Sequence, residues 1–215
     1  MSQVAQSTRE PLSNGEAAIR AAAGALFAEK GFEAVSVRMV AEKAGVSKAN
    51  VFHHFASKEG LYLAVLRSAA EKSTHLLGEV AKASGTHAEQ LGRFARGHLE
   101  NLLEDKHVTR LLLREALEHG SERGRELADQ GVGDGFTRLV AMLTEAQRSG
   151  ELRTDLNPGL VAMLMVAANV FYFEAAPVLR HLPDVGFSDD PQGYSEGVMN
   201  ILLHGILNKK GNTNE

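Results

Sequence analysis

The stretch that most constrains the fold of this chain is residues 36–58, which has the pattern of two short helices joined at a glycine. Apolar residues in its first half recur every three or four positions, the spacing that places one apolar stripe along a helix. They are Val37, Val40, Ala41 and Ala44. Ser36 can cap this helix, and Gly45 can end it because glycine adopts a left-handed backbone without a steric penalty. The pattern therefore predicts a helix, a tight turn and a second helix.

The second helix of this pair presents cationic and amide side chains and no acidic one. Ser47 can cap it, and Val51 and Phe55 give it an inward side. The residues expected to face outward are Lys48, Ala49, Asn50, His53 and His54. A short helix with such a face suits insertion between walls lined by phosphates. Ser57 can then cap a further helix, where Lys58 would lie at the positive end of a helix dipole, a corner that attracts anions.

The same stretch resembles a known family in its order of residues. It reads V-x-x-V-A-x-x-A-G-V-S-K-x-x-V-F-H-H-F-x-S-K-E-x-L, preceded by A-L-F-A-E-K-G-F-E-A-V-S. This is similar to the DNA-binding segment of the TetR (tetracycline repressor) family of bacterial regulators. The resemblance is dense over residues 16–66 and extends beyond them only as architecture. Phe52 is a departure, because the family usually has tyrosine there, with a hydroxyl that often reaches a phosphate.

This resemblance assigns expected roles to the residues of the helix pair. Lys48 and Asn50 could reach base edges, lysine being suited to guanine and asparagine to adenine. The residues better placed for phosphates are Ser36, Ser47, His54 and Lys58. Arg38 and His53 could do either, and Ala49 and Phe52 complete the candidate DNA-binding face. The alternatives are the solvated face of an ordinary surface hairpin, or an adaptor that binds protein through residues 36–58.

Composition limits the remaining classes of function. The 215 residues, 44% of them hydrophobic, can form one domain or a small domain with a larger one. There is no cysteine, which excludes disulfides, thiolate zinc sites and a cysteine nucleophile. The histidines form neither an HExxH motif nor a pair four residues apart, so neither a metal site nor a cofactor is expected. The N-terminus is polar and does not resemble a signal peptide. A cytoplasmic location is therefore expected.

Charge is distributed unevenly along the chain. The net charge is −4, which by itself argues against a nucleic-acid partner. Residues 36–67, however, contain five Lys or Arg against two Glu, a balance of +3, whereas residues 68–215 contain 15 Lys or Arg against 21 Asp or Glu, a balance of −6. A mildly basic head and an acidic body would orient the head towards DNA.

The chain as a whole is expected to be all-α, with an N-terminal three-helix bundle containing a helix-turn-helix and a C-terminal helical domain for ligand binding and dimerisation. Residues 1–12 are expected to be a disordered tail. Residues 13–57 would form the DNA-binding domain, with a capping box from Ser13 to Glu16 and a first helix that runs to Lys30 and stops at Gly31. A connecting helix over 58–84 and a body over 85–210 would follow.

Within the body, helices are expected over 88–104, 107–119, 121–150, 158–181 and 194–210. The glycines between 131 and 135 indicate a kink or close helix approach rather than a phosphate loop. The run 156–173 has no charged residue but is too short to span a membrane, so a buried helix is expected and no membrane partner. Since the last two helices are apolar on more than one side, we expect them to form a two-fold dimer, as the resemblance also implies.

A small-molecule pocket in the body is a further expectation from the resemblance. Its candidate lining residues are Phe94, His98, Leu102, Arg114, Met142, Met165, Asn169, Tyr172 and Phe173. The sequence thus indicates a dimeric regulator that binds a palindromic DNA operator, a repressor released by an effector; an activator or a co-repressor-dependent regulator is the alternative. An all-helical enzyme using His98, Arg114 and Glu174 is disfavoured, because no nucleophile, base and orienting group stand at recognisable spacing, and no catalytic residue is assigned.

Overall fold

The computed structural model describes residues 14–206, and within them the chain folds into α-helices without a β-sheet. This confirms the all-α prediction. The helices are α1 (Asn14–Ala34), α2 (Val37–Ala44), α3 (Lys48–His54), α4 (Lys58–Lys82), α5 (His87–Glu104), α6 (Lys106–Leu127), α7 (Gly133–Arg148), α8 (Pro158–Leu179) and α9 (Pro191–Ile206). The chain divides into two compact units, unit 1 up to Leu66 and unit 2 from Arg67, so the division falls within α4.

Unit 1 is a three-helix arrangement closed by the first turns of α4. Its apolar centre is buried and consists of Ile19, Ala23, Leu26, Phe27, Val35, Val40, Val51, Phe55, Leu61 and Val65. The ring of Tyr62 meets Phe27 edge-on, with centroids 5.1 Å apart. Gly31 interrupts α1 with a φ of 79°, a conformation that glycine adopts readily, so the predicted stop is confirmed. A short helical segment follows this kink and ends at Ala34. The predicted cap Ser13 and the tail 1–12 lie outside the described residues.

Unit 2 is built around α5, which packs against both α8 and α9. A capping box starts α5: Thr86 Oγ1 accepts from the Glu89 backbone N–H, and Glu89 Oε2 accepts from the Thr86 N–H at 2.8 Å. The main core cluster contains Leu77, Val80, Leu91, Phe94, Ala95, Leu139, Leu143, Ala146, Leu152, Val161, Ala162, Met165 and Met199. Apolar side chains from several helices of unit 2 thus share one core.

The middle of the body differs from the predicted helix boundaries. The expected break near residue 120 is wrong, because α6 runs through Gly120 to Leu127. The break comes instead at a π-helical turn, Ala128–Val132, where Gly131 has a φ of 100°. A side chain on Gly135 would lie 3.2 Å from Thr74 Oγ1 on α4. The kink and the close approach that the glycines predicted are therefore both present.

The last two helices differ slightly from their predicted limits. Helix α8 ends at Leu179, two residues after Pro177, which lacks the N–H needed for the helical hydrogen bond. Helix α9 begins at Pro191 rather than 194, and its predicted end over 207–210 lies outside the described residues. Helix α8 is the one helix in the described part of the chain that is long and apolar enough to cross a membrane, a criterion that core helices of soluble proteins also meet.

Candidate DNA interface and internal cavity

The turn between α2 and α3 is fixed by local hydrogen bonds. Ser36 Oγ accepts from the Met39 backbone N–H at 3.2 Å, and Ser47 Oγ accepts from the Asn50 N–H at 3.1 Å, so both predicted caps are formed. Gly45 is left-handed with a φ of 68°, and the Val46 N–H donates to the Ala41 carbonyl at 3.0 Å. These contacts hold α3 at a defined angle to α2.

The exposed side of α3 is cationic and aromatic. Lys48, Ala49, Phe52 and His53 are exposed, whereas Val51 is buried. The Lys48 Nζ lies 5.7 Å from the centre of the Phe52 ring, and that side chain is 43% exposed. This side of α3 carries no acidic residue, so it presents a positive charge and a flat apolar ring to a binding partner.

Two residues expected to face outward lie instead on the flank of α3. Asn50 and His54 are half-buried, because each precedes an inward residue by one position, about 100° around the helix. The Asn50 Oδ1 atom is buried and finds no hydrogen-bond partner among residues 14–206. The prediction that Asn50 stands beside Lys48 on the outward face is therefore wrong in its geometry.

The candidate phosphate contacts are engaged within unit 1. The Lys58 Nζ lies 4.2 Å from the centre of the Phe32 ring and donates to the Glu33 carbonyl at 3.4 Å. The Arg38 Nε donates to Glu42 Oε1 at 2.7 Å, and this exposed pair raises the pKa of the Arg38 guanidinium. Both cations would have to exchange these partners to bind a phosphate. No local sequence pattern links Lys58 to Phe32, 26 positions earlier.

Unit 2 contains an internal cavity of about 230 Å³ with a predominantly apolar wall. It lies among α4, α5, α6, α7 and α8 and includes the π-helical turn. Its lining residues include Ala69, Ala70, Lys72, Ser73, Leu77, Phe94, His98, Asn101, Leu102, Asp105, Val108, Thr109, Leu112, Leu113, Ala116, Gly131, Val132, Gly135, Phe136, Leu139, Val166 and Val170.

Only some of the residues predicted for a pocket line this cavity. Phe94, His98 and Leu102 do so. The other candidates do not line this cavity: Arg114, Met142, Met165, Asn169, Tyr172 and Phe173. Arg114 is exposed, Met165 belongs to the core cluster, and Met142 borders a separate surface depression. The contributions of α6 and of Gly131 to Phe136 were missed, because an apolar stripe lining a cavity has the same spacing as one filling a core.

Tyr172, Phe173 and Asn169 have structural contacts that explain their burial. The Tyr172 hydroxyl donates to the Ser188 carbonyl at 2.9 Å, and its ring lies 4.4 Å from that of Tyr194. The Phe173 ring packs beneath the Arg110 guanidinium, whose Cζ atom lies 5.8 Å from the centre of the ring. The Asn169 Nδ2 donates to the Ala95 carbonyl at 2.8 Å and lies 3.1 Å from His98 Nδ1.

His98 is the buried titratable group of the cavity wall. Its side chain stacks on Phe94 with ring centres 5.5 Å apart, and the residue is only 6% exposed. Burial lowers the pKa of the His98 imidazole to about 4, because the charged form is not solvated there. The imidazole is therefore neutral at pH 7. Among residues 14–206, no three histidine or acidic side chains form a group that could hold a metal ion.

Helix α8 presents a second apolar face away from the core. Its inner face is buried through Val161, Met165 and Tyr172, but its outer face carries a row of exposed apolar residues. These are Leu160, Met163, Leu164, Phe171 and Val178, with Phe171 67% exposed. On α9, Ile201 is 75% exposed. Helix α8 is thus apolar on more than one side, as its sequence predicted, and only its inner face is buried within the single chain.

Comparison with known proteins agrees with this architecture. The family described as bacterial regulatory proteins, tetR family, matches residues 19–65, the helices of unit 1. AcnR of Corynebacterium diphtheriae, an HTH-type transcriptional repressor, is 42% identical over 53 residues, which is 25% of this chain and 28% of AcnR. The match to AcnR therefore covers less than a third of that relative.

Longer similarity is found with RutR, an HTH-type transcriptional regulator. RutR of Escherichia coli O157:H7 is 46% identical over 195 residues and RutR of Escherichia coli K12 is 27% identical over 198 residues, and each alignment covers 88% of this chain and 89% of RutR. Although the two identities differ, both alignments extend through unit 2.

Similarity of fold also spans the whole chain. The ketosteroid transcriptional regulator KstR2 of Mycobacterium tuberculosis superposes with a TM-score of 0.65 at 23% identity, over 93% of this chain and 98% of KstR2. These relatives are regulators, and the alternative of an enzyme built on His98, Arg114 and Glu174 finds no support, since Arg114 and Glu174 are exposed whereas His98 is buried. The full-length similarity to RutR and the match in unit 1 show that this chain belongs to the TetR family of bacterial regulatory proteins.

Proposed function

We propose that this chain is a cytoplasmic, dimeric repressor that places α3 in the major groove of a palindromic double-stranded DNA operator. The observation that carries the proposal is the exposed face of α3, where Lys48, Phe52 and His53 lie on a helix that contains no acidic residue and is capped by Ser47. A lysine can donate to guanine, and an aromatic ring can contact a thymine methyl group. Repression is favoured by the likeness of unit 1 to AcnR, a transcriptional repressor.

Dimerisation is the second part of the proposal. The outer face of α8 exposes a row of large apolar side chains, and such a row on a monomer usually marks an interaction surface. Two exposed glycines on α9, Gly197 and Gly205, have open space where a side chain would project and would allow a second helix to approach closely. A two-fold axis through α8 and α9 would use the same surface on both subunits and match the symmetry of a palindrome.

Regulation by a small molecule is the third part. The cavity of unit 2 is lined in part by α4, which continues from unit 1 into unit 2. A ligand that fits better in one position of α4 than in another would shift the population of DNA-binding conformations. In the proposed direction, ligand binding releases DNA.

Selection from random DNA tests this function and identifies the operator in the same experiment. The purified full-length protein is used to select binding sites from a pool of random DNA duplexes, and affinity for the enriched site is measured by fluorescence anisotropy at several salt concentrations. We expect a two-fold symmetric site, with affinity falling as salt rises because phosphate contacts release counterions. Enrichment of no sequence, with no salt-dependent binding, would instead favour a protein-binding adaptor.

A matched pair of variants assigns the interface to α3. Lys48→Ala should weaken binding to the selected site by about 5- to 100-fold, as expected for the loss of one base or phosphate contact. Lys106→Ala removes another exposed lysine, at the start of α6, and should leave binding unchanged. Equal effects of the two substitutions would rule out α3 as the interface.

A further inference from the structure

We propose that the cavity of unit 2 selects a small, neutral, largely apolar molecule with one hydrogen-bond acceptor, such as an aromatic ketone, and that His98 Nε2–H donates to that acceptor. This inference names the ligand class of the proposed regulator, but the binding step is tested without DNA. Its support comes from the orientation of one imidazole and from the partners already held by its polar neighbours.

The protonation of His98 follows from its contact with Asn169. The atom 2.8 Å from the Ala95 carbonyl must be the amide nitrogen of Asn169, because a carbonyl oxygen only accepts hydrogen bonds. The same NH2 group has a second hydrogen for His98 Nδ1, 3.1 Å away, so Nδ1 accepts. The neutral imidazole therefore carries its proton on Nε2.

The Nε2–H group is left as a donor at the cavity wall. His98 lines the cavity, its Nδ1 is occupied on the side of α8, and no atom of residues 14–206 accepts from Nε2. Although the residue is only 6% exposed, its Nε2 atom is not fully buried, so it faces the open space of the cavity. A ligand acceptor in the cavity would give this donor a partner, whereas a purely apolar ligand would cover it without one.

The other polar groups of the wall are mostly engaged by the protein. The Thr109 hydroxyl donates to the Leu102 carbonyl at 3.2 Å, and the Asp105 carboxylate accepts from the Val108 N–H at 3.4 Å. The Lys72 Nζ donates to Glu104 Oε2 at 3.0 Å. Ser73 and Asn101 are half-buried on the same wall and could assist.

The size and charge of the cavity restrict the ligand. An apolar cavity of about 150 Å³ can hold benzene, so about 230 Å³ admits a ring with a short substituent. An anion would enter beside the Asp105 carboxylate and find Lys72 already paired, so it would lose its hydration without gaining a counter-charge. A neutral ketone loses far less.

The test compares matched ligands by isothermal titration calorimetry on the full-length protein. The probes are acetophenone, its near-isostere ethylbenzene without the acceptor, and benzoate. Acetophenone should bind to the His98→Leu variant at least about fivefold more weakly than to the wild type, because the variant leaves its carbonyl without a hydrogen-bond donor. Ethylbenzene should change by less than about threefold, and benzoate should bind more weakly than acetophenone to the wild type. His119→Leu, an exposed histidine on α6, should alter none of these values.

Two results would overturn the inference. One is an equal loss of acetophenone and ethylbenzene affinity in His98→Leu, and the other is tightest binding by benzoate. A second measurement covers the case in which His98→Leu does not fold: a two-bond ¹H–¹⁵N spectrum of the wild-type histidine side chains should place the His98 proton on Nε2 and shift when acetophenone is added. A proton on Nδ1 would contradict the inference. Ligand selectivity without any DNA binding would refute the proposed function alone.

Discussion

The Asn169 side-chain amide on α8 bridges two groups of α5, donating 2.8 Å to the Ala95 carbonyl and 3.1 Å to His98 Nδ1. All three residues are buried, so each hydrogen bond forms away from water. The bridge joins the helix that carries the exposed apolar row to α5, one of the helices that line the cavity. It also fixes which nitrogen of His98 bears the proton.

The first prediction concerns stability against pH. His98 has a folded pKa of about 4 and an ordinary unfolded value near 6.5, so the unfolded chain binds more protons between these values. The stability contributed by neutral His98 is therefore complete above pH ~6.5 and declines as pH falls towards 4, by on the order of 3 kcal/mol. Urea unfolding at pH 7, 5.5 and 4.5 measures this decline.

The control for that measurement is His98→Leu, which has no proton to take up at this position. Carboxylates that lose favourable contacts in acid, such as Glu151, whose pKa is lowered mainly by its hydrogen bond with His87, are the same in both proteins. The difference in the pH dependence of unfolding between the two proteins therefore reports His98. Parallel curves would mean that the imidazole titrates normally.

The second prediction concerns Phe52. Its ring is 43% exposed on the outward side of α3, so Phe52→Tyr adds a hydroxyl at the surface without disturbing the core. We expect the hydroxyl to gain a phosphate contact and tighten DNA binding by about 3- to 10-fold, the range of one neutral hydrogen bond. Fluorescence anisotropy with the selected site measures the change, and the melting temperature should stay the same. Weaker binding would mean that the added hydroxyl group meets no phosphate acceptor.

The third prediction concerns the oligomeric state. Phe171→Lys introduces a charge into the exposed apolar row of α8 and should convert a dimer into a monomer, because an interface does not solvate a buried ammonium group. Light scattering coupled to size-exclusion chromatography measures the mass. Leu117→Lys is the matched control, since Leu117 is 85% exposed on α6 outside this row. A dimer that survives Phe171→Lys would place the subunit contact elsewhere.

The fourth prediction concerns the turn before α3. Gly45→Ala forces a side chain into a left-handed backbone with a φ of 68° and should lower the free energy of unfolding by about 1 kcal/mol, although no atom obstructs the added Cβ. Gly92→Ala is the counterpart within α5, where the added Cβ also meets nothing within 4 Å. It should stabilise the protein slightly, because alanine favours a helix. Chemical denaturation of both variants checks the contrast.

Local features of this fold were predictable, and the long-range ones were not. The caps Ser36 and Ser47 and the turn at Gly45 follow from residues at most five positions apart, so the sequence pattern contains the whole cause. The position of Lys58 on Phe32 depends on how α1 meets α4. The half-burial of Asn50 depends on how deeply α3 sits against its neighbours, which a helical wheel does not specify.

The cavity illustrates the same limit in unit 2. His98 and Phe94 were correctly placed on its wall from the apolar stripe of α5, but Met165 and Tyr172 share an equally regular stripe and lie in the core. The kink at Gly131, between α6 and α7, also lies on the cavity wall. Spacing along one helix contains no information about a bend in another.

The outer face of α8 has a consequence for cells that make two versions of this protein. If subunits pair through that face, a chain that keeps Phe171 and its neighbours but lacks Lys48 will still associate with intact chains. Each mixed dimer would carry only one intact α3, whereas a palindromic operator requires two. A defective copy would then silence the working one in the same cytoplasm, and the damage would be inherited as a dominant trait.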